Sequence, residues 1–186
     1  MSAQFKVSAI ILAAGLSRRM GRNKLLLPVA GRPMLAHCLD LVLSMGFYQN
    51  ILVTTSANIA GLDPQPGPSS GLELVLNPSP EKGQSFTLRR GLERANGEAY
   101  LFLTGDQPFL DADTLGRILA AYRPGHIVIP RHSWAGGAKT GSPVLFPADL
   151  RANLAALEGD FGGRGLFKDF PEKIIYAELP GPGPLL

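Results

Sequence analysis

The stretch from Val7 to Leu12 (VSAIIL) is almost continuously apolar and rich in β-branched side chains. That pattern predicts a strand covered on both faces, at the centre of a parallel sheet. From Pro33 the period changes: Leu35, Leu39 and Val42 fall on one face, while His37, Asp40 and Ser44 fall on the other. This predicts a helix with His37 in solvent and Gly46 at its end. Strand-like runs return at 51–55 (ILVTT), 72–76 (LELVL), 99–104 (AYLFLT) and 127–130 (IVIP). Between and after them lie helical stripes. Leu115, Ile118, Leu119 and Tyr122 follow an N-cap at Asp111 or Asp113, and Leu150, Leu154 and Leu157 form another. Alternating strands and helices predict an α/β fold, a mostly parallel sheet flanked by helices, with ligands bound at the carboxyl ends of the strands. Residues 58–71 read as an exposed proline-bearing loop and Pro180 to Leu186 as a frayed tail. Neither marks a boundary, so residues 1–186 read as a single domain.

Composition narrows the chemistry. The single cysteine, Cys38, sits in an apolar run; it excludes an internal disulfide, suits a reducing cytoplasm, and reads as a small buried hydrophobe. A net charge of +3 without a basic stripe argues against nucleic acid, and the apolar run near the N-terminus is too short for a membrane span or a signal peptide. Small anionic molecules are the easier partners.

The strongest local signal is Leu12 to Lys24 (LAAGLSRRMGRNK), directly after the first strand. Small residues at Ala13, Ala14 and Gly15 allow close backbone approach to a ligand, successive amides in a tight turn form an anion nest, and Arg18, Arg19 and Lys24 add positive charge. Together they suit a triphosphate. The segment is neither a P-loop, because Met20 stands where the second glycine belongs, nor a dinucleotide fingerprint, because Ser17 does. The second signal is Gly105 to Pro108 (GDQP), also after a strand, where Asp106 is placed to hold Mg²⁺ together with substrate phosphates. A third, Gly83 to Leu92 (GQSFTLRRGL), opens a helix at Gly83, Gln84 and Ser85, where anions are favoured, and points to nucleotide contacts there. A fourth, Gly159 to Leu166 (GDFGGRGL), sets Asp160 and Arg164 among glycines. Ser79 to Lys82 and Lys139 to Gly141 match two marks of penicillin-recognising serine enzymes, but the third mark is missing and the serine precedes a proline, so the match is read as accidental. His126, His132 and Trp134 lack metal-ligand spacing and read as strand and hairpin residues.

Leu12 to Lys24 resembles the LAAGxSxRMGxxK signature of nucleotidyltransferases that act on the molybdenum cofactor, and GDQP resembles their metal-binding turn. Leu25 to Pro28, Gly31 to Leu35, the GQSFTLRRGL segment, Ser142 to Phe146 and 159–164 fall in the same order, so the resemblance covers most of the chain. It implies a Rossmann-like nucleotide-diphospho-sugar transferase fold, with Leu12 to Gly15, Arg18 and Lys24 on the triphosphate and Gly83 to Ser85 on the nucleotide. In the same reading Asp106 holds Mg²⁺, Lys24, Arg18 and Asp106 are the catalytic set, and Asp160 and Arg164 face a pterin substrate. The LLLP run after Lys24 and the GDxGxR segment look more like the cytidylyltransferase branch, implying CTP as donor, molybdopterin phosphate as acceptor and a transient contact with a molybdoenzyme. The alternatives are a guanylyltransferase, a nucleotidyltransferase of another phosphorylated metabolite, or a non-catalytic nucleotide-binding cofactor chaperone. One departure stands out. The acidic segment expected after the last strand is replaced by YAELP (176–180), which leaves Glu178 as the candidate for a second metal-side carboxylate.

Overall fold

A computed structural model of the chain describes residues 5–17, 21–67, 69–160 and 162–180. Its strands are β1 (Val7–Ala13), β2 (Pro28–Val29), β3 (Arg32–Pro33), β4 (Gln49–Thr54), β5 (Glu73–Leu76), β6 (Ala99–Thr104), β7 (Ile127–Trp134), β8 (Gly137–Thr140), β9 (Val144–Pro147) and β10 (Ile174–Pro180). The helices are α1 (Met34–Ser44), α2 (Ser56–Ala60), α3 (Gln84–Leu92), α4 (Ala112–Ala121) and α5 (Arg151–Ala155). The main sheet runs in the order β10-β7-β9-β6-β1-β4-β5, with β8 paired to β7. Strand β1 is central and parallel to both β4 and β6, β5 continues parallel to β4, and β10 is parallel to β7. Strand β9 runs antiparallel to β6 and β7. The fold is therefore a mixed, mostly parallel sheet flanked by helices.

The two-residue period of β1 explains the layering. Val7, Ala9, Ile11 and Ala13 face a cluster built from Leu35, Cys38 and Val42 of α1 and Leu115 and Ile118 of α4. Ile10 and Leu12 face the opposite cluster, with Leu88 and Leu92 of α3 and Leu154 of α5. Helix α3 comes so close that a Cβ at Gly91 would stand 2.4 Å from Ile10 Cγ2. Polar Ser8 is satisfied within the sheet, donating to Gln49 Oε1 at 2.8 Å and accepting from the Gly97 amide at 2.9 Å.

Three local readings change. His37 is not a solvated helix residue: its Nε2 lies 2.8 Å from the Val29 carbonyl and ties α1 to the small β2–β3 ribbon. The segment that begins at Asn58 is not simply an exposed loop, because α2 extends into it and both Asn58 and Leu62 are buried. The last strand went unrecognised. Tyr176, Glu178 and Pro180 alternate outward with Ala177 and Leu179 inward along an edge, so β10 carries a half-buried pattern too short to separate from a tail. Pro180 pairs with Ser133, and the rest of the expected tail lies outside the described residues.

Helix α4 is started by Asp111, whose carboxylate accepts from the Thr114 amide at 2.8 Å, while Asp113 pairs with Arg117 one turn on. That amide bond holds the Asp111 carboxyl below its ordinary range. A depressed folded value means the stabilisation is present above the unfolded carboxylate range and is lost as pH falls through the folded value. Asp111→Ala is expected to lower stability by about 1 kcal/mol at neutral pH, measured as a shift in the urea midpoint. The difference from wild type should shrink steadily below about pH 4, near the ordinary range of an aspartate; a gap that is constant with pH would refute the cap.

Candidate active site

The loop after β1 is held at both ends by one buried amide. The Ala13 carbonyl accepts from Thr54 Oγ1 at 2.9 Å and from Asn58 Nδ2 at 2.6 Å. The Asn58 Oδ1 in turn accepts from Asn23 Nδ2, and Asn23 Oδ1 caps the turn Lys24–Leu26 by accepting from the Leu25 amide. Inside this bow the Lys24 amide donates to Ser17 Oγ at 3.1 Å, with Ser17 in the left-handed region at φ 48°. Leu12, Ala14, Gly15 and Lys24 border the cleft, whereas the Ala13 side chain is buried and this residue serves through its carbonyl. Among the described residues no atom lies within 4 Å of a Cβ placed on Gly15, and its φ is not in the left-handed region, so none of them demands a glycine there. Arg18 lies outside the described residues.

Strand β6 delivers Asp106 to the same place. The Gly105 amide donates to the Leu12 carbonyl at 3.1 Å, and a Cβ at Gly105 would stand 2.8 Å from Leu35 Cδ1. The glycine of GDQP is thus a packing requirement that presses the turn against α1 and β1. Asp106 Oδ2 lies 3.3 Å from Lys24 Nζ, with side chains 39% and 34% exposed. At that exposure an ion pair contributes only about 0–1 kcal/mol to stability. Its value has to be sought in chemistry.

Two adjoining cavities open here, of about 880 and 540 Å³, and they share Leu12, Lys24, Gln84, Thr104, Asp106 and Asp160. The smaller is bordered by Ala14, Gly15, Leu16, Ser17, Glu81 and Gly83; the larger by Phe109, His132, Lys139, Thr140, Ser142 and Arg164, among others. Each is large enough for a small-molecule ligand. The arrangement is a two-lobed cleft with Lys24 and Asp106 at the divide. Among the described residues no group of three or more His, Cys, Asp or Glu side chains converges as a metal cage. A divalent ion held by Asp106 would need substrate and water oxygens to complete its shell, a donor set that suits Mg²⁺ among phosphates.

The start of α3 differs from the reading that gave its amides to the nucleotide. The Gln84 amide donates to Asp160 Oδ1 at 3.1 Å and the Ser85 amide to the Gly159 carbonyl at 3.0 Å. Ser85 is fully buried, so its side chain does not reach the cleft. Gly83 takes φ 87°, and a Cβ there would meet Asp160 Oδ1 at 2.4 Å. A helix N-terminus that favours anions has accepted a carboxylate from the chain itself, and Asp160 caps α3 from a distant loop. Of this segment, Gly83 and the Gln84 side chain remain on the cleft wall. Glu178 is not in the cleft; it pairs with Arg131 and accepts from Ser133 on the β7–β10 edge. Cys38 is buried, its thiol pushed up to about 12 by desolvation, and is no nucleophile. The hairpin residues His132, Lys139 and Thr140, and Gln107, were not assigned to the site from sequence. Only the pairing of β7 with β8 brings the hairpin over the cleft.

A glycine-bearing loop after the central strand, beside a lysine–aspartate pair at the junction of two ligand-sized cavities, makes a site suited to small anionic ligands. The chain belongs to the MobA-like NTP transferase domain family, whose model matches residues 9–174. Nicotine blue oxidoreductase of Paenarthrobacter nicotinovorans is 28% identical over 177 residues, 89% of this chain and 83% of that protein. A molybdenum cofactor guanylyltransferase of Rhodobacter capsulatus is 39% identical over 128 residues, 65% of this chain and 61% of that enzyme. Among solved structures, Rv0371c of Mycobacterium tuberculosis superposes with a TM-score of 0.81 at 29% identity, covering 97% of this chain and 91% of that one. A second Rv0371c structure, a complex with manganese, superposes at 0.73 with 26% identity over 95% of this chain and 89% of that one. Among the described residues no helix is long and apolar enough to cross a membrane.

The Gly83–Asp160 contact makes a direct prediction. Gly83→Ala combines a strained positive φ with the loss of a helix cap, and should lower stability by about 1–3 kcal/mol in urea denaturation. Unchanged stability would mean that the Asp160 loop does not sit on α3 in solution.

Proposed function

We propose that this protein transfers CMP from CTP to the phosphate of a molybdopterin-type acceptor, releasing pyrophosphate, in the cytoplasm. The observation that carries the reading is the Lys24–Asp106 pair at the junction of two cavities, one bordered by the glycine loop and the other by polar and basic groups. Two phosphate-bearing reactants placed in the two lobes would meet at that pair. An oxygen of the acceptor phosphate attacks the α-phosphorus of CTP; the new P–O bond forms as the bond to the departing pyrophosphate breaks. The acceptor is already ionised, so no residue has to remove a proton, and the requirement is positioning and charge neutralisation. Lys24 supplies one positive charge at the divide. Asp106 would hold Mg²⁺, which supplies charge neutralisation across the phosphates when bound; the manganese complex of Rv0371c supports a divalent ion in this fold. Gly15 keeps the loop wall free of a side chain beside the smaller lobe. CTP is favoured over GTP by the LLLP run after Lys24 and the GDxGxR segment, while the guanylyltransferase relative makes GTP the competitor to test. Delivery of the product to a molybdoenzyme is part of the same proposal.

A screen of the four nucleoside triphosphates with Mg²⁺ and molybdopterin, read as pyrophosphate release, tests the assignment. CTP should exceed GTP by at least about 10² in kcat/KM, the discrimination that a pocket shaped for one base provides. Preference for GTP would move the protein to the guanylyl reaction, and nucleotide binding without pyrophosphate release would make it a carrier.

In the same assay Lys24→Ala should reduce kcat/KM by about 10²-fold or more, and Asp106→Asn by a comparable factor. Both variants should stay folded, since the pair is a third exposed and contributes little stability. Folded variants with unchanged kinetics would reduce the pair to a surface ion bridge.

A further inference from the structure

The Lys-Thr-Gly stretch at 139–141, set aside as an accidental motif, lies on the wall of the larger lobe. Strand β7 runs on beyond its pairing with β9 at Val128 and turns into β8, and His132, Lys139 and Thr140 of this hairpin border the cleft. His132 and Lys139 are direct cross-strand partners, and both border the cavity, as two side chains on one face of a ribbon should. The connection that follows β8 is fastened to the metal turn, because Gln107 Nε2 donates to the Ser142 carbonyl at 2.9 Å. Lys139 is thereby kept on the same rim as Asp106.

The charges around this lobe are unevenly committed. Lys24 is paired with Asp106, Asp111 caps α4 and Asp160 caps α3. Among the described residues Lys139 and Arg164 form no ion pair, and they approach the lobe from different elements, β8 and the turn Gly162–Phe167. Asp111 and Asp160 also border the lobe but are turned to helix amides, so Lys139 and Arg164 are the cations left to meet a doubly charged ligand group.

We infer that Lys139, with His132 beside it and Arg164 on the same lobe, forms the anion-binding wall that makes the larger lobe select a phosphate monoester over the same molecule without its phosphate. The inference rests on the proposed function and takes the larger lobe, which Arg164 borders, as the acceptor side. Lys139 is here a specificity residue and takes no part in bond making.

Isothermal titration calorimetry with 6-hydroxymethylpterin, its monophosphate ester, inorganic phosphate and CTP tests this on the intact chain. Wild-type protein should bind the ester about tenfold more tightly than the alcohol, the contribution of one charged hydrogen bond, and the preference should fall as salt rises. Lys139→Ala should bring the two pterins to within about threefold of each other with CTP affinity unchanged, and Lys139→Arg should restore the preference. A folded Lys139→Ala protein that keeps the full preference overturns the inference and leaves the proposed function standing. If wild-type protein ignores both pterins yet binds inorganic phosphate in a Lys139-dependent way, the molybdopterin reading falls and the anion wall stands. Absence of any Lys139-dependent anion binding refutes the wall outright.

Discussion

The carbonyl of Ala13 is the last polar group of a strand buried on both faces, and a buried carbonyl has to be satisfied. Among the described residues no amide of the glycine loop does this. Thr54 Oγ1 and Asn58 Nδ2 do, one from the end of β4 and one from the short helix that follows it. The same Asn58 bonds Asn23, which caps the turn carrying Lys24. One buried side-chain amide thus links the end of the central strand to the start of the turn that positions the cleft lysine. Ala14 to Ser17 are left to border the cleft, and the site follows from a problem in backbone hydrogen bonding.

Asp106 reaches Lys24 by an equally indirect route. Gly105 extends the β1–β6 ladder by one bond, and a Cβ there would stand 2.8 Å from Leu35 Cδ1 and 3.1 Å from Ala13 Cβ, so a larger residue would have to push Leu35 aside. The carboxylate follows the end of β6 and the ammonium comes from the turn that closes the loop after β1, its neighbour in the sheet, so both stand where parallel strands finish together. The pair joins one ammonium and one carboxylate, and Cys38 is sealed in the core. Such a site suits a reaction whose barrier lies in bringing like charges together.

Carboxylates elsewhere in the cleft have structural duties. Asp160 holds the N-terminus of α3 and Asp111 that of α4, so two of the acids near the cleft are engaged by helix amides while their side chains still border it. This couples the 159–164 loop to α3, and through α3 to the central strands on which it packs.

Much of this was legible in sequence because it depends on near-neighbour pattern. An apolar run without a polar face has to be a covered strand; a 3.6-residue stripe has to be a helix; a glycine loop and an aspartate after such strands have to meet at the carboxyl edge. That reasoning locates β1, β4, β6, α1 and α4, and with them Gly15, Lys24 and Asp106. What the chain could not disclose depends on pairings across long separations. Whether Asp160 meets a ligand or the amide of Gln84, 76 residues away, is decided by how two loops dock. Ser85 looks like a ligand contact in a helix-start motif and is buried by the packing of α3. Glu178 resembles a metal-side acid until β10 pairs with β7 and Arg131 takes it. Lys139 joins the cleft only because β8 pairs with β7 and sets it opposite His132. Local periodicity is written into consecutive side chains, whereas the partner of a polar group is chosen among all groups that the fold brings within hydrogen-bond reach.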